Sequence, residues 1–286
     1  MSKLVAVIGQ TASGKTAIAM DLARRFNGEI INADSWQIYR GMDIGTAKPS
    51  QEERSEVPHH LFDIVDPDDD FTAAVYKRMA LDVIDDIHSR GKLPIMVGGT
   101  GLYVDSVLFD YSFLPPGSKK LRQQLNDKSI DDLLKLINEN GYSLEGIDIR
   151  NKRRLIRLIE TGGATPRQKE LRANTLVLGV SISRTKLRSN IERRVEQMFR
   201  RGLKREVREL ADRYGWGVES MKGIGYRELK GYFEGSKSNQ DVKSQIVRSS
   251  LELAKRQRTW FKRNRSIHWI ESSDEATELT SNFIET

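Results

Sequence analysis

Short apolar runs alternate with amphipathic stretches through the first part of the chain. Residues 4–8 form an apolar run of strand length, and similar runs cover residues 30–33 and 93–97. Helical spacing of apolar residues separates them, and in the first helix it involves Ile18, Leu22 and Phe26. Strands that alternate with helices in this way indicate a parallel sheet covered by helices. The pattern therefore predicts an α/β fold.

The helix between the second and third runs is predicted over residues 73–90, and it ends at Gly91. Its apolar spacing predicts one inward face, formed by Val75, Met79, Val83 and Ile87.

A proline-containing break at residues 113–118 interrupts the alternation, and short helical patterns follow it. One of them opens at Ser129 with Asp132 three residues later, as in a capping box. A strand-like run resumes at 175–182. It is followed by an amphipathic helix with Leu187, Ile191, Val195 and Met198 on one face, a last helix over 242–263 and an edge strand at 268–270. We therefore predict a core of residues 1–112 and 175–286, with an inserted helical domain over 113–174.

The segment between the first run and the first helix matches the phosphate-loop pattern G-x-x-x-x-G-K-[ST]. Backbone N–H groups of such a loop surround phosphate oxygens, its lysine neutralises their charge, and its last hydroxyl can ligate Mg²⁺. The motif predicts the fold of P-loop NTPases and Thr16 as a metal ligand. The candidate diphosphate-binding residues are Gly9, Thr11, Ala12, Ser13, Gly14, Lys15 and Thr16.

An ordinary phosphate-loop NTPase also carries an aspartate at the end of a second buried strand. Here the run at 93–97 ends in Gly98-Gly99-Thr100, with a hydroxyl in place of the carboxylate. Asp34 does stand directly after the run at 30–33, where α/β sheets collect their ligands. We take Asp34 as the candidate base, although a turn or cap aspartate would fit the spacing equally well.

Composition narrows the class of protein. The 286 residues are 38% hydrophobic and 30% charged, which is typical of a globular protein. The absence of cysteine excludes disulfides, cysteine-ligated zinc and a cysteine nucleophile. No apolar run approaches the roughly 20 residues of a membrane span. We expect a cytoplasmic monomer without a membrane partner.

The formal charge of +7 is unevenly distributed. Residues 1–110 carry 11 basic and 17 acidic side chains, whereas residues 111–286 carry 36 and 23. This asymmetry favours a polyanion such as nucleic acid as a partner, although scattered lysines that only aid solubility would also give a basic total.

Five segments, taken together, resemble one family. They are the phosphate loop, residues 32–49 (NADSWQIYRGMDIGTAKP), residues 97–103 (VGGTGLY), residues 223–227 (GIGYR) and residues 254–260 (AKRQRTW). Their order and content resemble the bacterial tRNA dimethylallyltransferases across nearly the whole chain.

The resemblance implies that dimethylallyl diphosphate binds in the phosphate loop and that its five-carbon group passes to N6 of adenosine 37, beside the tRNA anticodon. It implies Asp34, Thr100 and Arg227 as catalytic residues, with Mg²⁺ as cofactor. It also implies that the inserted domain contacts tRNA. The residues expected to contact tRNA are Asp34, Ser35, Trp36, Gln37, Thr100, Arg153, Arg154, Leu155, Ile156 and Arg157. Trp36 departs from the smaller side chains of the family, and it could stack on a base or pack against its own loop.

Three other functions remain compatible with parts of the sequence. The phosphate loop alone would permit a kinase for a nucleoside or metabolite. A prenyltransferase for free adenosine nucleotides would need neither residues 119–174 nor the two groups of basic side chains at residues 150–157 and 255–265. The protein could also be a non-catalytic RNA-binding module that keeps the phosphate loop only as a structural relic. We expect the pair His59-His60 to be structural, because no carboxylate spacing accompanies it, and we expect Trp260 to pack on the core.

Overall fold

The computed structural model describes residues 3–115, 117–166 and 169–286. Met1, Ser2, Pro116, Arg167 and Gln168 lie outside the described residues, although the predicted domain ranges include them. Two compact units are present, one formed by Met1–Leu108 with Leu171–Thr286 and the other by Phe109–Glu170.

The smaller unit begins and ends four residues before the predicted insertion at 113–174. The chain leaves the larger unit where a helix ends at Leu108, ahead of the proline break from which the boundary was predicted. On its return, the Arg172 N–H donates to the Leu108 carbonyl at 2.7 Å. The two chain segments that flank the insertion are therefore hydrogen-bonded to each other within the larger unit.

The larger unit is built on a sheet that has six strands among the described residues, all paired in parallel. Their order across the sheet is β3-β2-β4-β1-β5-β6. The strands are β1 (Leu4–Gly9), β2 (Gly28–Asn32), β3 (His59–His60), β4 (Leu93–Gly98), β5 (Thr175–Val180) and β6 (Ile267–Ile270). The predicted α/β fold and its parallel sheet are confirmed, and the carboxyl ends of β1, β2 and β4 meet at one edge, where ligands bind in such sheets.

The helices account for most of the remaining chain. In chain order they are α1 (Lys15–Arg25), α2 (Gln51–Glu56), α3 (Ala73–Ser89), α4 (Gly101–Leu108), α5 (Lys119–Asn126), α6 (Ile130–Glu139), α7 (Lys152–Glu160), α8 (Arg184–Arg200), α9 (Leu203–Tyr214), α10 (Lys230–Phe233), α11 (Asn239–Phe261) and α12 (Ser273–Glu285). Within the described residues, no helix is both long and apolar enough to cross a bilayer.

Helix α8 and strand β6 agree with the sequence prediction. The four apolar residues predicted for the inward face of α8 are its buried residues, and β6 pairs with β5 at an edge of the sheet. The sequence analysis missed α12, which packs beside α1 on one face of the sheet.

Helix α3 presents a different face to the core from the one predicted. Its buried side chains are Tyr76, Ala80, Ile84 and Ile87, so the prediction was wrong for Val75, Met79 and Val83, which are only partly buried. The packing of an aromatic residue, Tyr76, explains the difference. The Tyr76 ring stacks on Tyr103 with a centroid distance of 4.0 Å, and its hydroxyl donates to the Asn32 carbonyl at 2.9 Å. Burial of this ring with a satisfied hydroxyl outweighs burial of the aliphatic residues beside it.

The smaller unit consists of α5, α6 and α7. Its apolar core contains Leu125, Leu133, Ile137, Leu155, Ile156 and Leu158. The predicted capping box is present, since the Asp132 N–H donates to the Ser129 hydroxyl and the Ser129 N–H donates to the Asp132 carboxylate. The short helices predicted for this part of the chain are therefore found.

Candidate active site

The phosphate loop connects the central strand β1 to the N-terminus of α1. Gly14 precedes the helix with a φ of 94°, a conformation that glycine adopts without steric cost, and Lys15 and Thr16 follow in the first turn. The Ser13 hydroxyl is buried and has no hydrogen-bond partner among the described residues. A buried, unpartnered hydroxyl in a loop of the phosphate-binding pattern fits a site that a phosphate oxygen completes.

Lys15 lies across the loop, with its Nζ 3.4 Å from the Gln10 carbonyl. Burial lowers the pKa of Lys15 to about 8, and the nearby Asp34 carboxylate partly opposes this effect. A lysine that is desolvated in this way gains most from a negatively charged ligand, because the ligand restores the interactions that burial removed.

Asp34 stands two residues beyond the end of β2, and its position is fixed through Asn32. The Asn32 amide donates to the Leu61 carbonyl at 3.0 Å and to the Asp34 carbonyl at 3.1 Å. The Asp34 N–H in turn donates to the Asn32 side-chain oxygen at 2.9 Å. One carboxylate oxygen of Asp34 accepts the Trp36 N–H at 2.9 Å. Asp34 is thus held by a local turn of the kind that aspartate and asparagine favour.

Thr100 ties the end of β4 to the end of β2. Its hydroxyl accepts the Ser35 N–H at 3.0 Å and donates to the Ser35 hydroxyl at 3.2 Å, while its own N–H donates to the Ala33 carbonyl. Thr100 and Ser35 are therefore brought together beside Asp34. The Thr100 hydroxyl, which stands where P-loop NTPases usually carry an aspartate, therefore holds the loop of Asp34 in place.

The next two residues of this loop also have defined contacts. The Gln37 amide donates to the carbonyls of Thr46 and Ala47 at 3.0 and 3.2 Å. The partly buried Trp36 ring lies against Gly223, where a Cβ atom would come within 3.0 Å of it. Trp36 thus packs against a neighbouring segment while also facing a cleft.

Sequence reasoning missed Arg194, which α8 supplies to the site. Its guanidinium donates to the Thr11 hydroxyl at 3.1 Å and to the Thr46 carbonyl at 3.3 Å. Burial lowers the pKa of Arg194 from its ordinary value, and the nearby Asp34 opposes the shift. In the sequence, Arg194 is one of many basic residues on an amphipathic helix, and nothing in the spacing marks it out.

Two clefts meet at Asp34, and Thr11, Asp34, Thr46 and Arg194 line both. The phosphate cleft, of about 520 Å³, is the one that also contains Lys15 and Thr16. The apolar cleft, of about 640 Å³, also contains Trp36 and a set of aliphatic side chains. These are Ile191, Val195, Met198, Ile224, Ile246 and Leu253. The arrangement places a carboxylate between a cationic compartment and an apolar one.

Arg227 lines neither of these clefts. Its half-exposed side chain donates to the Glu228 carboxylate at 2.9 Å and to the Ser249 hydroxyl at 3.2 Å. The catalytic role that the resemblance implies for Arg227 stays a prediction, and Arg194 is the arginine that these contacts bring to the phosphate loop.

The predicted tRNA-contact segment lies on α7, where some of its side chains are exposed and others are buried in the core of the smaller unit. Arg153 and Arg154 are exposed, and the Arg157 guanidinium donates to the carbonyls of Leu114 and Pro115. Leu155 and Ile156 are 0% and 2% exposed, so their side chains offer no surface for RNA. Their burial means that any contact of these two residues with tRNA would be made by the backbone, and their place in the tRNA-binding set stays a prediction. The exposed arginines remain the side-chain candidates.

The two histidines and Trp260 all have defined contacts, and His60 has a carboxylate partner that the sequence spacing did not indicate. The His59 ring hydrogen-bonds to the Val57 carbonyl and the His60 ring to the Glu29 carboxylate, and no group of three metal-ligating side chains occurs in the described part of the chain. The Trp260 N–H donates to Asp105 of α4 at 2.7 Å, and burial raises the pKa of that carboxyl to about 6. Trp260 therefore packs α11 onto α4.

A parallel sheet with a phosphate loop after its central strand, and a carboxylate between a cationic and an apolar cleft, defines an enzyme of the P-loop class. The model of the IPP transferase family matches residues 37–264. A tRNA dimethylallyltransferase of Anoxybacillus flavithermus is 41% identical over 284 residues, which cover 96% of this chain and 91% of that protein.

Solved structures agree with this assignment. The crystal structure of the full-length tRNA isopentenylpyrophosphate transferase from Bacillus halodurans superposes with a TM-score of 0.77 at 38% identity, over 100% of this chain and 96% of that one. A eukaryotic dimethylallyltransferase acting on tRNA gives a TM-score of 0.81 at 25% identity, over 100% of this chain and 80% of that one. The chain therefore belongs to the IPP transferase family, the tRNA dimethylallyltransferases.

Proposed function

We propose that this protein transfers the dimethylallyl group of dimethylallyl diphosphate to N6 of adenosine 37 in tRNA and releases diphosphate. The observation that carries the proposal is the position of Asp34, which lines both the phosphate cleft and the apolar cleft. A group at this junction can touch an acceptor in one compartment while the leaving group stays in the other.

The phosphate cleft is suited to the diphosphate. The unpartnered Ser13 hydroxyl, the Lys15 ammonium and the Arg194 guanidinium would all interact with its oxygens. As the carbon–oxygen bond breaks, negative charge grows on the diphosphate. Donors that are already in place stabilise that charge without reorganising.

Mg²⁺ fits the same cleft. This ion usually takes one or two protein oxygens and completes its shell with substrate phosphates and water. The Thr16 hydroxyl, in the exposed first turn of α1, would be such a protein ligand. Bound there, the ion would supply further positive charge for the leaving diphosphate.

Asp34 would act as the general base. The lone pair of the exocyclic amine is delocalised into the purine ring, which makes the amine a poor nucleophile. The new bond forms between N6 and the allylic carbon, the bond from that carbon to the diphosphate breaks, and the N6 proton passes to the Asp34 carboxylate. The turn through Asn32 leaves Asp34 little freedom, which is what a positioned base needs.

The acceptor base would enter the apolar cleft. A loop nucleotide must leave its stack before an enzyme can act on it, and apolar or aromatic walls stabilise the extruded base. Trp36 and the aliphatic residues opposite it supply such walls. Arg153 and Arg154, on the surface of α7, would bind tRNA phosphates.

The direct test is to incubate unmodified tRNA with the protein, Mg²⁺ and dimethylallyl diphosphate and to analyse the released nucleosides by mass spectrometry. We expect adenosine 37 to gain one five-carbon group. A parallel reaction with ATP tests the kinase alternative, and a phosphorylated product there without prenylation would refute the proposal.

The matched variant is Asp34→Asn, which keeps the shape of the side chain and removes the base. We expect kcat for transfer to fall about 10²- to 10⁴-fold, the usual contribution of a general base. Binding of tRNA, measured by filter retention, should change little. Loss of tRNA binding would instead assign Asp34 to recognition or folding.

A further inference from the structure

The segment Asp43–Lys48, here called the wall loop, separates the two clefts. Thr46 lines both of them, Gly45 lines the apolar cleft, and Ala47 lines the phosphate cleft. The loop has little regular structure of its own, so something outside it must fix its position.

One carboxylate provides that support. Glu206, in the first turn of α9, accepts the backbone N–H groups of Asp43, Ile44 and Gly45 at 3.0, 2.7 and 3.0 Å. The Tyr226 hydroxyl donates to the same carboxylate at 2.7 Å. An ionised carboxylate has about four acceptor sites, and hydrogen bonds to it are stronger than those between neutral groups. Four donors from two separate segments therefore converge on Glu206.

Tyr226 makes this arrangement rigid. Its ring is 0% exposed and lies directly against the loop, since a Cβ atom at Gly45 would come within 2.5 Å of it. Burial, together with the Glu206 charge, raises the pKa of Tyr226 well above its ordinary value. The hydroxyl thus keeps its proton and remains a donor to Glu206. Tyr226 belongs to the GIGYR segment, in which the resemblance gave a role to Arg227 alone.

The wall loop in turn holds Arg194. The Thr46 carbonyl accepts one N–H of the Arg194 guanidinium, and the Gln37 amide donates to the same carbonyl. The other end of the guanidinium donates to Thr11 of the phosphate loop. A shift of the wall loop would therefore displace the acceptor that orients Arg194 in the phosphate cleft.

We propose that Glu206 is a positioning residue: it fixes the wall loop so that the Thr46 carbonyl holds Arg194 in the orientation that receives the leaving diphosphate. This inference rests on the proposed function. Glutamine cannot replace Glu206, because its amide has one acceptor oxygen and would turn an NH₂ group toward backbone donors.

The test compares Glu206→Gln with Glu209→Gln. Glu209 is on the same helix, is 70% exposed and has a 3.8 Å contact with Arg205, so its replacement controls for loss of a charge on α9. We expect Glu206→Gln to lower kcat/KM for dimethylallyl diphosphate about 10- to 100-fold, as supporting residues around a charged site do. Inhibition by inorganic pyrophosphate should weaken as well. The KM for tRNA should change much less, because most of the tRNA affinity is assigned to phosphate contacts on α7, and Glu209→Gln should behave as the wild type.

A double-mutant cycle with Arg194→Ala shows whether Glu206 acts by positioning Arg194 or by stabilising the fold in general. If Glu206 acts through Arg194, adding Glu206→Gln to Arg194→Ala should cost less than about threefold. A full, additive loss would overturn the proposal, and so would an equal rise in the KM for tRNA. A wild-type protein that makes no prenylated tRNA would refute the proposed function instead.

Tyr226→Phe tests the same proposal should the Glu206→Gln protein fail to fold. It keeps the buried ring and removes one of the four donors. We expect it to weaken pyrophosphate inhibition about fivefold, the effect of one hydrogen bond, and to lose that effect in the Arg194→Ala background. Unchanged pyrophosphate inhibition in a folded Tyr226→Phe protein would overturn the proposal.

Discussion

Two arginines are candidates for the cation that faces the leaving diphosphate. Arg194 reaches Thr11 of the phosphate loop, whereas Arg227 is engaged by Glu228 and Ser249. A charge that is to stabilise a transition state must lie where the negative charge develops, and its strength depends on exclusion of water. Arg194 lines the phosphate cleft and is desolvated enough to lower its pKa, which makes it the better candidate of the two.

We therefore expect Arg194→Ala to lower kcat/KM for dimethylallyl diphosphate about 10²- to 10³-fold, the cost of removing a preorganised donor. Arg227→Ala should cost clearly less. Steady-state kinetics with saturating tRNA measure both changes. The reverse ranking would return the catalytic role to Arg227 and would require a rearrangement of its contacts with Glu228 and Ser249.

At the residue scale, the sequence predicted those features that follow from local rules. The phosphate loop has a fixed spacing, and Asp34 stands at a strand end where α/β sheets gather ligands. Arg194 and Glu206 follow no such rule. Each becomes important only because a helix from the second half of the chain packs beside loops of the first half, and no local pattern contains that information.

At the scale of elements, a buried carboxylate on β2 gathers partly exposed cations from β3, from the end of α3 and from the start of β4. The Glu29 carboxylate on β2 is 1% exposed and pairs with Arg90, Lys92 and His60. The hydrogen bonds from Arg90 are the main reason that the pKa of Glu29 falls to about 2 from its ordinary 4.5. A lowered carboxyl pKa stabilises the fold above the unfolded value, and this contribution is lost as the pH falls through the folded value.

We expect Glu29→Gln to lower the free energy of unfolding by about 2 kcal/mol at pH 7, since breaking a buried ion pair leaves its partners uncompensated. The difference from the wild type should shrink between about pH 4.5 and pH 2, where Glu29 becomes protonated. Urea unfolding across this range measures it. Glu278→Gln, on the exposed side of α12, should change stability by less than about 0.5 kcal/mol at any of these pH values. A pH-independent difference for Glu29→Gln would contradict the assignment.

Element types were easier to predict than element faces. Strands β1, β2, β4 and β5 and helix α8 follow directly from apolar runs and helical spacing, whereas the two-residue strand β3 has no apolar run and was not predicted. The face of α3 does not follow from spacing, because its orientation is set by the stacking of Tyr76 on Tyr103, a residue of another element. For α12, a short amphipathic pattern near the chain end becomes informative only once α1 is seen to pack beside it.

For the whole molecule, the uneven charge has a measurable consequence. We predict that Arg154→Gln combined with Arg153→Gln weakens tRNA binding and reduces the slope of log K against log salt concentration by about 1 to 2. The KM for dimethylallyl diphosphate should not change, because neither residue lines the phosphate cleft. Lys135→Gln removes an exposed charge from α6 of the same smaller unit, and it serves as the control. Equal effects of the control and the double variant would mean that the total charge, and not the α7 surface, binds tRNA.

The hydrogen bond between Arg172 and Leu108 bears on how this family can change over evolution. Because this hydrogen bond joins the two chain segments that flank the insertion, the 109–170 segment is a closed loop attached to the larger unit. The entropy of closing a loop rises only by about 0.6 kcal/mol for each doubling of its length, so exchanging some 60 residues for a tight turn would alter the core by at most about 3 kcal/mol. The helical unit can therefore be lengthened, shortened or replaced while the phosphate loop and Asp34 stay as they are. Under the proposed binding of tRNA by α7, the choice of RNA could change while the transfer chemistry of the core stays the same.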